Sequence, residues 1–99
     1  MRNKVQTVLS ASTNTTSGSV YIGNMSKGSV QIDITGTITC AINLSVDGVL
    51  WEPVTVGGAS SWAADTNIDI DFYGKNYINA VTTGVSGGSV VVTLSAKGD

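Results

Sequence analysis

The side chains with most reactive potential in this sequence are one thiol, Cys40, and an acidic run, Asp65-Thr66-Asn67-Ile68-Asp69-Ile70-Asp71. Neither has the company that catalysis needs. The chain has no histidine, which removes the commonest general base, the Ser–His and Cys–His pairs, and imidazole metal sites. A nucleophilic thiol needs an electropositive, accessible setting. Cys40 stands between Thr39 and Ala41, in the phase of Ile38 and Ile42, and reads as a buried structural thiol. The acidic run puts Asp65, Asn67, Asp69 and Asp71 at alternate positions, as the first half of a calcium loop does. The glycine and glutamate such a loop requires further on are replaced by Ile70 and Asn76. The run reads better as a strand with a polar outer face. Asp69 and Asp71 would share that face about 7 Å apart, unable to flank a sugar as glycosidase carboxylates do. Gly84-Val85-Ser86-Gly87-Gly88 precedes a strand pattern, not a helix, so it makes no phosphate cradle. The expectation is a protein that is not an enzyme, with no catalytic residue, cofactor or metal.

Binding chemistry rests on the aromatic residues. Trp51, Trp62, Tyr73 and Tyr77 could form a sugar-stacking platform. Trp51 follows a turn signal and is expected to pack in the core. Trp62 stands in a Gly/Ala/Ser-rich loop and is expected to be exposed, as tryptophans at protein interfaces are. The basic residues Arg2, Lys4, Lys27, Lys75 and Lys97 are scattered in a chain of net charge -2. They offer no electrostatic footprint for nucleic acid. No apolar run approaches the ~20 residues of a membrane span, and the start of the chain lacks a signal peptide's apolar stretch. With one cysteine, no disulfide can form within the chain. The expected setting is a reducing cytoplasm, with no membrane and no nucleic-acid partner.

The elements that would hold these residues are strands. The chain has 13 Val and 8 Ile against 4 Leu, and 12 Thr besides, so a third of its 99 residues are β-branched. Such side chains suit a pleated surface better than a helix. Val30, Ile32 and Ile34 alternate with polar residues, and Ile38, Cys40, Ile42, Leu44 and Val46 alternate with Thr39, Ala41, Asn43 and Ser45, the period-two pattern of half-buried strands. Gly36 reads as a break between them. Asp47-Gly48 reads as a tight hairpin turn, with Val49–Val56 as the return strand and Pro53 confining it to an edge or a bulge. Gly84–Gly88 carries a second hairpin signal, and Val90, Val92 and Leu94 close the pattern on one face. Seven to eight short strands of this kind predict a single all-β, antiparallel β-sandwich, jelly-roll or Ig-like, or a small barrel. Residues 1–11 would be an N-terminal strand or arm and residues 12–99 the sandwich. The expected core is Val30, Ile32, Ile34, Ile38, Cys40, Ile42, Leu44, Val90, Val92 and Leu94, with Trp51 on top.

The segment Ser45-Val46-Asp47-Gly48-Val49-Leu50-Trp51 resembles an S-x-D-G-x-x-W signature of small tailed-phage virion proteins. Their aromatic strand and terminal hairpin are similar to Tyr77-Ile78-Asn79-Ala80-Val81 and to Ser86-Gly87-Gly88-Ser89-Val90-Val91-Val92. Glu52-Pro53 departs from the pattern, where an apolar residue is common. The resemblance implies a bacteriophage structural protein, foremost a capsid decoration (cement) protein of the virion, assembled in the host cytoplasm. It would be a homo-oligomer, a homotrimer by analogy, docked on the major capsid protein. Arg2, Lys4 and Trp62 are the expected interface residues. Asp47, Gly48, Trp51, Gly87 and Gly88 are the expected structural motif. The alternative is a carbohydrate-binding, adhesin-like domain of a tail or fibre.

Overall fold

The computed structural model describes residues 2–98, and the side chains of 3–98. Seven antiparallel strands join in one sheet: β1 (Arg2–Ala11), β2 (Thr15–Thr16), β3 (Val20–Tyr21), β4 (Lys27–Ser45), β5 (Trp51–Pro53), β6 (Thr66–Asp71) and β7 (Tyr77–Gly98). The two long strands form its spine, paired from Lys27↔Lys97 to Ser45↔Tyr77. β1, β2 and β3 line the other side of β7. β6 and β5 line the other side of β4.

The spine is bent back on itself. Straight strands of 19 and 22 residues would reach about 60 and 70 Å, but the longest dimension of the molecule is 40 Å. Lys27, at the start of β4, pairs with Asp71. Ser45, at its end, accepts the N–H of Asn76. Both ends of β4 therefore meet the short segment 71–76. The ends of β7 converge in the same way on 22–26: Ile22 N–H donates to the Asn76 carbonyl and Ser26 N–H to the Lys97 carbonyl.

The glycines that read as breaks are where the bend is made. Thr37 faces both Ser86 and Gly87, a bulge in the β4–β7 ladder, and bulges bend and twist a strand. Gly36, Gly84 and Gly87 take positive φ of 73°, 63° and 69°, open to residues without a Cβ. The backbones approach so closely that a Cβ on Gly88 would lie 2.3 Å from the Thr37 carbonyl oxygen. Gly84–Gly88 is thus not a hairpin but the middle of a continuous strand, and Gly36 does not end β4.

One cluster fills the concave face. Val30, Ile32, Ile38, Cys40, Ile42, Leu44, Val90, Val92 and Leu94 are buried in it as their phase requires, and Ile34 is partly buried against it. Ile22, Ile68, Ile70, Phe72 and Ile78 are the largest of the side chains that join them. Each such side chain fully buried contributes ~1.5–3 kcal/mol of transfer free energy. Trp51 is a correction. It is half-buried and paired with Ser45, outside the core phase. The return strand is also shorter than expected, three residues rather than eight. β1 is bonded into the sheet over its whole length, with a bulge at Val8 where the register shifts between Thr7 and Leu9.

Candidate functional site

Cys40 is fully buried, and burial pushes its thiol up to about 11, far from a thiolate at neutral pH. Trp62 lies beside it. The two residues exchange backbone hydrogen bonds, each N–H donating to the other's carbonyl at 2.8 Å. The Trp62 side chain is half-buried and packs against the core. Trp62, expected to be exposed, is thus half-buried over β4's edge. The sequence signal missed was the unpaired stretch of β4 between β6 and β5.

The acidic run does not converge. Asp65 accepts the Ile34 N–H at 2.6 Å, Asp69 the Ser29 hydroxyl at 2.6 Å and Asp71 the Tyr73 hydroxyl at 3.1 Å. That bond and the Asp71 charge hold the Tyr73 phenol above its ordinary range. Among the described residues no group of three or more acidic or thiol side chains is placed to hold a metal ion. Lys27, Ser29, Asp69, Asp71, Ser95 and Lys97 line a shallow cleft of mixed charge on the convex face.

The built feature is the connection between β4 and β5. It is a five-residue loop, 46–50, not a two-residue turn. Asp47 Oδ1 accepts the N–H groups of Val49 and Leu50 at 2.9 and 3.0 Å. Those bonds hold its carboxyl below the usual carboxylate range. Ser45 Oγ donates to the Leu50 carbonyl at 2.6 Å and accepts the Gly48 N–H at 2.8 Å. Gly48 needs its positive φ of 81°, and a Cβ there would meet the Tyr77 ring. Every polar group of the loop so named is spent inside it. The apolar ones face out: Val49 and Leu50 are 75% and 77% exposed.

This loop is the centre of an apolar end. Asn76 Nδ2 donates to the Val46 carbonyl and ties the loop to the 71–76 turn, where Tyr73 is 84% exposed. Tyr77 stacks edge-on with Tyr21 at 5.7 Å between ring centres. Tyr21, Tyr77, Ser45 and Trp51 form one row across the sheet. Val46, Tyr21 and Val56 are exposed here too, whereas exposed Val5 and Val91 lie along the β1–β7 pair. One groove adjoins the loop, and a second, lined by no loop residue, shares Leu44, Glu52 and Lys75 with it. Glu52 and Lys75, which line both grooves, form an ion pair at 3.1 Å.

Of the expected interface residues, Lys4 is half-buried and its ammonium donates to the Tyr21 carbonyl at 3.0 Å. Arg2 starts β1, and its side chain lies outside the described residues. Lys4, Trp62 and the loop are not brought into one site. Gly87 and Gly88 stand at the bend of the spine, away from Asp47, Gly48 and Trp51.

No protein-family model and no curated protein matches the chain. One solved structure is similar along nearly its whole path, the SPBc2 prophage-derived protein YomS, with a TM-score of 0.80 at 13% identity. The chain has the YomS fold. The superposition takes in 97% of this chain and 94% of YomS, so no large insertion separates the two. At this identity the likeness is one of backbone path. The apolar end described above is argued from this chain's own residues.

Proposed function

We propose that this chain is a bacteriophage virion structural protein, a capsid decoration protein that docks on the head as a homo-oligomer, threefold by analogy with such proteins. The observation that carries the reading is the end-to-end likeness to a prophage-derived protein. The chemistry on the page supports it. The thiol is buried, the carboxylates are engaged one by one, and what the molecule presents is an apolar end with a rigid loop. Large exposed apolar patches mark interaction sites, and interface cores are rich in Tyr and Trp and poor in charge. The folded-over sheet, read as a sandwich of two facing halves, is part of the same proposal and gives the compact body a shell ornament needs. The major capsid protein is the partner, and the virion is the place.

The glycan-binding reading loses Trp62, which packs on the core, and keeps only the row of Tyr21, Tyr77 and Trp51. The test is composition. Particles of the phage whose genome carries this gene, purified and digested, should yield its peptides in stoichiometric proportion to the major capsid protein. Particles that lack it, or that lose it with the tails when heads are separated, contradict a head decoration role.

A further inference from the structure

Asp47-Gly48 is the one Asp-Gly pair in the chain, and such a pair can react with itself. The Gly48 nitrogen, with no Cβ beside it, attacks the Asp47 Cγ. The amide gives up its proton and the carboxyl its hydroxyl, which leave together as water, and a five-membered succinimide closes. Water then reopens the ring. Attack at the side-chain carbonyl restores aspartate. Attack at the main-chain carbonyl gives isoaspartate, whose backbone runs through the former side chain and is one methylene longer. Water is the only reagent. An exposed Asp47 in a surface loop is where this chemistry is expected to run, yet the loop engages each atom it needs. The Gly48 N–H donates to Ser45 Oγ at 2.8 Å, and that hydroxyl is fixed in turn to the Leu50 carbonyl at 2.6 Å. Ser45 is 1% exposed, so water does not compete for its place. Asp47 Oδ1 is held by the Val49 and Leu50 N–H groups at 2.9 and 3.0 Å. The same bonds favour the ionised carboxylate, which is a poorer electrophile than the neutral acid.

We infer that Asp47-Gly48 is a latent isoaspartate site, and that the buried Ser45 hydroxyl is the clamp that keeps it closed in the folded chain. Ring closure requires the Gly48 amide to leave Ser45 and the Asp47 carboxyl to leave Val49 and Leu50, a local opening of the loop rather than of the core. The change is lasting once made. In isoaspartate the free carboxylate is the former main-chain one, so the oxygen that held the Val49 and Leu50 N–H groups is displaced and the loop is lengthened. The frame that presents Val49 and Leu50 to solvent is then lost. The site belongs to the loop itself and holds whatever the apolar end docks on.

The experiment ages the full chain at neutral pH and reads isoaspartate at position 47 by electron-transfer fragmentation of a proteolytic peptide, which separates the two isomers of equal mass. The same chain unfolded in urea sets the unprotected rate. Folded wild type should convert at least about tenfold more slowly than that, and Ser45→Ala about tenfold faster than folded wild type, the scale of one net hydrogen bond. Ser45→Cys, of the same shape with a poorer acceptor, carries the test if the alanine variant does not fold. Ile42→Ala weakens the core and leaves the clamp intact, so while folded by circular dichroism it should age like wild type. Converted chains should exchange the Val49 and Leu50 amides faster than unconverted ones. Equal rates in folded and unfolded wild type overturn the inference, as does a folded Ser45 variant that ages like wild type. Ile42→Ala ageing as fast as the Ser45 variant also overturns it, because the protection would then belong to the whole fold.

Discussion

Two residues show how position decides chemistry in this fold. Cys40 has the reactive atom, but Ile38 and Ile42 share its phase and Trp62 covers its edge of the sheet. Burial raises its thiol to about 11, so the native protein should react with a thiol reagent only as fast as it unfolds. Labelling faster than global unfolding would mean that the Trp62 lid opens on its own. Asp47 is the opposite case, a solvent-facing carboxylate held by the Leu50 and Val49 N–H groups. Its pKa is lower in the folded chain than in the unfolded one. The support it gives the loop is therefore complete above the usual carboxylate range and is lost as pH falls through the depressed value. Amide exchange at Val49 and Leu50 should accelerate on acidification before the core loosens. Asp47→Ala should produce that faster exchange at neutral pH. The Cys40 environment was legible in the sequence because period two carries it. The two tryptophans were not, because the assignment turned on which strand edge a loop would cover.

At the scale of the element, the sequence showed the strands and hid their length. Alternation from Val30 to Leu44 and from Val90 to Leu94 is clean, and the structure buries those residues on one face. Glycines at 36, 84, 87 and 88 interrupted it and read as turns. Both long strands instead carry a bend at the same level, so the ladder continues through Thr37 with two register shifts. A turn and a matched bulge have the same local composition. They are told apart only by the partner strand, which no local pattern contains. The five-residue loop at Asp47 is hidden from local pattern in a similar way. Asp-Gly signals a tight turn, whereas here Asp47 caps a wider one with its side chain. The close contact at the bend makes a sharp prediction. Gly88→Ala should destabilise the fold by about 1–3 kcal/mol, the range for forced overpacking, measured by urea denaturation. Ile42→Ala, in the core, should cost roughly 2–5 kcal/mol, while Val5→Ala on the outer face should stay within about 0.5 kcal/mol. Equal effects at Ile42 and Val5 would place the core on the wrong face.

For the whole molecule, the folded sheet separates a polar flank from an apolar end. The flank carries Ser29, Gln31, Asp33, Asn67 and Asp69, partly bonded to one another. The end carries Val49, Leu50, Tyr73 and Tyr21. The polar flank was legible in the alternation of Val30, Ile32 and Ile34 and in the acidic run, but the apolar end was not, since its exposed residues come from three separate loops or strands that only the fold brings together. The proposed virion role is tested by the shell itself. Undecorated heads of the phage that carries the gene are mixed with the purified chain, pelleted, and the bound protein is counted per major capsid subunit. The account predicts saturable binding at a fixed ratio, weakened by disruption of the apolar end. A chain that stays in the supernatant with undecorated heads at every concentration, and instead binds glycans through Tyr21, Tyr77 and Trp51, would contradict it.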